Sequence, residues 1–255
     1  MRGVTGTAHY LAFGAGLAAM TALTLGIGRW ARTGLGWFPL WALLRAVVQL
    51  TVIALLLRGI LAVPWTVAGF VVLMLSTASW TSMGRLRELH RGRRTAVAGV
   101  LTGALLTLVT IFALQLVDFQ VRYVVAVGGI IIGNSMSAAT LAGRNFLRGS
   151  RARKDEIEAW LSLGATPSRA HEEIGQEAVR ESLLPTLDQT KSTGLVTLPG
   201  AFVGALFGGA SPAEAAQFQL VVLAGIALTM TVTGVVVTRL AGRTPYVPLV
   251  DGRTT

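Results

Sequence analysis

The chain has 255 residues, of which 13% are charged, and a mean hydropathy of +0.63. Soluble domains carry about 25% charged residues, so this composition defines an integral membrane protein and excludes an ordinary soluble enzyme. There is no cysteine, which removes disulfides, thiolate metal sites and cysteine nucleophiles, and the net charge of +10 is the only feature that would suit nucleic acid. The arginines sit instead in short loops beside apolar stretches, the distribution that the positive-inside rule describes. The expected surroundings are membrane lipid, with no nucleic-acid partner.

A bilayer crossing needs about 20 apolar residues. Seven stretches qualify, and the whole chain, 1–255, reads as one transmembrane domain of an all-α polytopic protein. They run from about Thr7 to Gly28, Trp41 to Val63, Trp65 to Met83, Thr95 to Val117, Val121 to Gly143, Lys191 to Ala210 and Ala213 to Thr238. The first has no basic region ahead of it and no clear cleavage site, so it is expected to be a retained span. The second and third are joined so closely at Val63-Pro64-Trp65 that a hairpin is expected. Alternate loops divide Lys and Arg 18 to 3, with Arg45 inside the second span, which puts the N-terminus outside and the C-terminus in the cytoplasm of a cell whose inner or plasma membrane holds the chain.

Polar groups inside the spans have two readings each. Arg45 and Gln49 lie one turn apart on the second span and could line a path, or Arg45 could snorkel to the nearby edge. Asn134, Ser135 and Ser137 sit near mid-span, either lining a path or joining helices by hydrogen bonds. Thr197 and Pro199 precede a ridge of small residues, Gly200, Gly204 and Gly208, four apart, which suits close helix packing. Pro199 removes a backbone hydrogen bond there, giving either a gate or a static bend. Ser211-Pro212-Ala213-Glu214 is a capping box with proline at the first helical position, expected to start the last span.

The densest polar run is Arg144 to Thr190, expected to be a cytoplasmic loop. A helix is predicted from about Lys154 to Leu163, with Asp155 and Glu156 in its first turn, where the dipole favours negative charge. Gly164 supplies the left-handed stop, Thr166 the next N-cap, and Pro167 the first position of a second helix reaching about Leu184. Ile157, Trp160, Leu161 and Gly164 share a face of the first helix, which should dock against something.

Glu158-Ala159, then Gly164, then Ile174 resembles the EAA loop of ABC-transporter permeases, whose pattern is Glu-Ala-Ala, three residues, Gly, nine residues, Ile, one residue, Leu-Pro. Trp160 replaces the second Ala, and Leu184-Pro185 comes late. Together with Gly133-Asn134-Ser135-Met136-Ser137-Ala138, Gly194-Leu195-Val196-Thr197-Leu198-Pro199-Gly200 and Gly208-Gly209-Ala210-Ser211-Pro212-Ala213-Glu214-Ala215, the region from about Gly128 to Leu228 resembles the iron-exporter-type ABC permeases, which include permeases linked to aluminium tolerance. The resemblance implies a half-size membrane subunit that works as a homodimer with a separate ABC-type ATPase, in which Ile157, Glu158, Ala159, Trp160, Leu161, Gly164 and Ala165 form the coupling element.

Several chemistries have no residues to carry them. No G-x-x-x-x-G-K-[ST] phosphate loop occurs, so ATP would be bound by the partner and this chain would need no cofactor. His9, His90 and His171 are far apart in sequence and show no metal-binding spacing, so no metal site is expected. No G-x-S-x-G nucleophile occurs either, and no catalytic residue is assigned. The expected function is that of an ABC permease, with iron or other metal export as the activity the resemblance suggests. A transporter or channel that needs no ATPase is the alternative.

Overall fold

The computed structural model describes residues 7–62 and 65–244. All regular elements among them are α-helices apart from one isolated bridge between Thr193 and Thr197. They form two compact units, divided between Val63 and Pro64. The hairpin expected at Val63-Pro64-Trp65 involves residues outside the described ones.

The first unit is α1 (Thr7–Trp30) and α2 (Phe38–Ala62). Its turn uses three left-handed positions, Arg32, Gly34 and Gly36. There the Arg29 guanidinium lies 4.7 Å from the centre of the Trp37 ring, a cation–π contact that ties the end of α1 to the start of α2.

The second unit holds α3 (Thr66–Arg85), α4 (Gly92–Ala113), α5 (Val121–Ala152), α6 (Lys154–Ser162), α7 (Pro167–Ala170), α8 (Glu172–Lys191), α9 (Gly200–Phe207) and α10 (Pro212–Ala241). Its centre is α4, α5 and α10, and glycines set how closely they pack. A Cβ on Gly99 would stand 2.5 Å from Val237, and one on Gly103 would overlap the Thr233 side chain and lie 2.9 Å from the Thr229 carbonyl. On α10 itself, a Cβ on Gly225 would lie 2.9 Å from Ile131 of α5 and 3.0 Å from Ile111 of α4. In lipid, where apolar side chains gain little by leaving the solvent, such close backbone approach is a main source of helix association. Ala96, Val100, Ala104, Val127, Ile131 and Val237 fill the remaining space as buried residues.

Six of the helices, α1 to α5 and α10, are long and apolar enough to cross a membrane. This is an all-α polytopic membrane protein. The expected sixth span, Lys191 to Ala210, is corrected by the structure. It contains no long helix: Lys191 ends α8, Ser192 to Pro199 are non-helical, and α9 has only eight residues. Gly194 turns with φ +94° and Pro199 adopts extended backbone as the N-cap of α9, so neither end of the segment can continue a helix.

The run Arg144–Thr190 holds the helices expected of it, with different bounds. Helix α5 continues unbroken to Ala152, and Arg151 of its last turn pairs with Glu88 at 2.8 Å. The second helix is split, with His171 ending α7 and preceding α8, and α8 runs past Leu184 to Lys191 with Pro185 inside it. The caps expected at Thr166 and Ser211 are present: Thr166 accepts from the Arg169 N–H, and Ser211 and Glu214 complete a capping box.

Candidate functional site

Two neighbouring elements hold most of the chemistry, and the first is α6. Its start carries Asp155 and Glu156 in the first turn, as the dipole favours. It ends in a Schellman arrangement: the Gly164 N–H donates to Leu161 O, the Ala165 N–H to Trp160 O, and Gly164 has φ +86°. Glu158 pairs with Lys154 one turn earlier at 3.4 Å.

The predicted docking face is divided by the fold. Ile157 is fully buried in the chain's own core and Leu161 packs against the same cluster, so these two fix α6 in place. Trp160 stays 43% exposed and Leu163 82% exposed, with Glu158 and Ala159 also outward and Ala165 half-buried. The surface offered to a partner is therefore Trp160, Leu163 and the Gly164 turn. Ile157 is already used.

The second element is α8 with α9. A Cβ on Gly175 would meet Thr238 at 3.5 Å, a Cβ on Gly234 would meet Val179 at 3.4 Å, and the Phe202 N–H donates to Gln219 Oε1 at 3.2 Å. The partners advance along α8 and then α9 while they retreat along α10, so α8 and α9 together run antiparallel to it. The third contact comes eight residues later than an unbroken helix would bring it, which is the length of Ser192–Pro199. Helices α8 and α9 are thus two successive pieces packed along α10, with the non-helical Ser192–Pro199 between them. The outer half of α8 is bracketed between the levels of Gly234 and Gln219, alongside the apolar middle of α10.

That half is polar. Ile174, Gly175, Ala178 and Ser182 form a buried face of small and apolar side chains against α5 and α10. An adjoining stripe, turned by roughly a third of a turn from the buried one, exposes Glu177, Glu181, Leu184, Asp188 and Lys191. Arg153 pairs with Glu177, and Lys191 with Asp188 at 3.0 Å. Were this stripe at bilayer depth it would have to meet water or protein, because a charge facing lipid there costs several kcal/mol by the lower estimates.

Sequence reasoning missed this strip because charged residues read as a loop. The signal that could have found it is the pair of breakers, Gly194 and Pro199, which leave Lys191–Ala210 too little helix to cross on its own.

The residues predicted for a path are placed less suggestively. Asn134 donates to Ile130 O at 2.8 Å, Ser135 to Ile132 O at 2.8 Å and Ser137 to Gly133 O at 3.1 Å, so each is satisfied by its own helix. Arg45 and Gln49 are exposed on α2, in the first unit. Thr197 is exposed and Pro199 half-buried in the interruption between α8 and α9. No atom lies within 4 Å of a Cβ built on Gly200 or Gly204, while one on Gly208 would meet only carbonyl groups of α9. The close packing expected of this ridge is found on Gly99 and Gly103 instead. Among the described residues no group of three His, Cys, Asp or Glu side chains converges in a way that could hold a metal ion.

These features define a helical multi-pass membrane protein, with α8 and α9 interrupted beside α10. The family model described as Uncharacterised protein family UPF0014 matches residues 12–246, and the chain belongs to that family. It is 32% identical to the UPF0014 membrane protein STAR2 of Oryza sativa subsp. japonica over 87% of this chain and 79% of that protein. It is 33% identical to the protein ALUMINUM SENSITIVE 3 of Arabidopsis thaliana over 77% of this chain and 72% of the other. With the probable iron export permease protein FetB of Escherichia coli (strain K12) it shares 29% identity over 81% of each. No solved structure matches.

Proposed function

We propose that the chain is the permease subunit of an ABC transporter, which forms the translocation path as a homodimer and takes its energy from a separate ATPase. The observation that carries this reading is the interrupted helix α8–α9, whose charged face lies beside the apolar middle of α10. Interrupted helices of this kind occur at the sites of transporters, because irregular backbone at membrane depth is tolerated only where protein or a water-filled cavity surrounds it. Two such faces, one from each chain, would enclose a polar route. A single chain would expose its own to lipid.

The coupling role falls to α6. Its buried Ile157 fixes it to the bundle, and its outward Trp160, Leu163 and Gly164 turn are free to enter a pocket on the ATPase. ATP is bound and hydrolysed on that partner, and this chain carries no catalytic residue or cofactor of its own. The charge distribution sets the N-terminus outside and the C-terminus in the cytoplasm of an inner or plasma membrane. Two of the eighteen cytoplasmic-side cations, Arg180 and Lys191, lie on α8, and counting them within the membrane instead leaves the sign of the bias unchanged. Export of iron or another metal is the proposed activity, iron following the name of the Escherichia coli relative, and a metal cargo would pass as a complex or between side chains of two subunits.

The test is purification of the chain with a candidate ABC-type ATPase from the same organism, reconstitution into liposomes, and measurement of ATP hydrolysis with and without iron and aluminium salts. Stable association and hydrolysis stimulated by a transported metal are expected. A chain that moves the metal at the same rate without any ATPase would replace this reading with an ATP-independent transporter.

A further inference from the structure

A cavity of about 630 Å³ opens between the start of α8 and the end of α10, within the size range of small-ligand pockets. Its wall includes Arg169, Arg239, Arg243, His171, Thr166 and Ser168. Three guanidinium groups face one carboxylate there, Glu172, and Glu172 is already paired with Arg169. Arg239 and Arg243 make no ion pair among the described residues. Arg239 is in the last turn of α10 and Arg243 lies two residues past its end, so two like charges line the same cavity and repel. An anion between them would relieve that repulsion.

His171 supplies a second, independent observation. It is 1% exposed and stacks against Phe146, with ring centres 5.7 Å apart. Its Nδ1 lies 2.9 Å from the Pro167 carbonyl, which can only accept, so Nδ1 carries the proton. Nε2 is then left buried with no partner in a residue that lines the cavity. A buried polar atom of this kind is costly unless something bonds to it. A P–OH group of a soluble phosphate, or a hydroxyl of a lipid headgroup, could donate to Nε2.

Depth narrows the ligand. The apolar run of α10 ends at Val237, two residues before Arg239, so the cavity lies where the hydrocarbon of a bilayer gives way to headgroups. Basic pockets between helices at this level suit phosphate-bearing lipid headgroups. We propose that this cavity binds a phosphate group through Arg239, Arg243 and His171, presented either by an anionic phospholipid or by a soluble phosphate. The proposal is independent of the permease reading, since none of these residues belongs to the coupling turn or to the charged face of α8.

The test uses the full chain purified in a non-ionic detergent and follows its thermal unfolding and, by calorimetry, its binding. The probes are a short-chain phosphatidylglycerol, the matching phosphatidylcholine and inorganic phosphate. The wild type should be stabilised by phosphatidylglycerol or by phosphate, with the phosphatidylcholine at least about tenfold weaker, because its choline cation cancels the phosphate charge and is repelled by Arg239 and Arg243. Stabilisation by phosphatidylglycerol alone assigns a lipid site, and stabilisation by phosphate alone assigns a soluble ligand. Arg243→Gln should lower the affinity about tenfold, and the pair Arg239→Gln and Arg243→Gln should abolish binding. The pair Arg93→Gln and Arg94→Gln removes the same charge outside the cavity and should leave binding intact. Equal binding by all three variants, or none by the wild type, would overturn the site.

Discussion

Replacing Gly103 by leucine is expected to leave no folded protein to purify. Its Cβ alone would overlap the Thr233 side chain and stand 2.9 Å from the Thr229 carbonyl, and backbone at the centre of a helix pair cannot rotate away as a side chain can. Adding a methylene or two to a packed core costs about 1–3 kcal/mol. Leucine adds four heavy atoms where there is room for none, so the cost should approach the whole stability of a domain, about 5–15 kcal/mol. Loss of the monodisperse peak in size-exclusion chromatography is the readout, with Gly103→Ala as a milder step that lowers the melting temperature. Gly204→Leu is the contrast. Nothing lies within 4 Å of that position, so the single chain should accept it, and only a dimer packed through the ridge would be disturbed.

The same pair of glycines shows what could be read in advance. Apolar length alone located α1 to α5 and α10, because in a membrane the spanning helices are defined by composition. The turn chemistry of Gly164, Thr166-Pro167 and Ser211–Glu214 was equally legible, since each rests on local backbone geometry. Which glycines pack was not. Gly99 and Gly103 have the same four-residue spacing as Gly200 and Gly204, and only the placement of α10 decides between them. Ile157 illustrates a related limit: an apolar face on α6 predicts a contact, but whether the contact is made inside the chain or with a partner depends on the path of α5 and α8. The polar strip on α8 was hidden for a physical reason, because a charged helix crosses a membrane only when other protein shields it, and one chain's hydropathy carries no trace of that shield.

Disrupting α6 should separate folding from coupling. Gly164→Leu places a side chain at φ +86°, which costs about 1–2 kcal/mol, yet no atom lies within 4 Å to clash. The strain can be released by unwinding the turn alone, so the bundle should fold while the tip of α6 loses its shape. Trp160→Ala removes the largest exposed ring from that tip without touching the core. Glu158→Lys breaks the pair with Lys154, whose surface position makes it worth little to stability, but reverses the charge offered to the partner. All three variants should insert and elute as the wild type does, while losing co-purification with the ATPase or reducing substrate-stimulated hydrolysis at least about tenfold, equivalent to 1.4 kcal/mol or more at the interface. If all three associated and transported normally, the coupling role would pass to another cytoplasmic segment.

The charged face of α8 can be probed directly, because the natural chain has no cysteine and needs no background removed. Single cysteines at Glu181, Asp188 and Leu105 would be treated, in membranes, with a small charged thiol reagent that reacts only where water reaches. Leu105, in the middle of α4 and 46% exposed, is the lipid-facing control. Rapid labelling at positions 181 and 188 with none at 105 is the result a water-lined path requires. Positions 181 and 188 as unreactive as position 105 would contradict it.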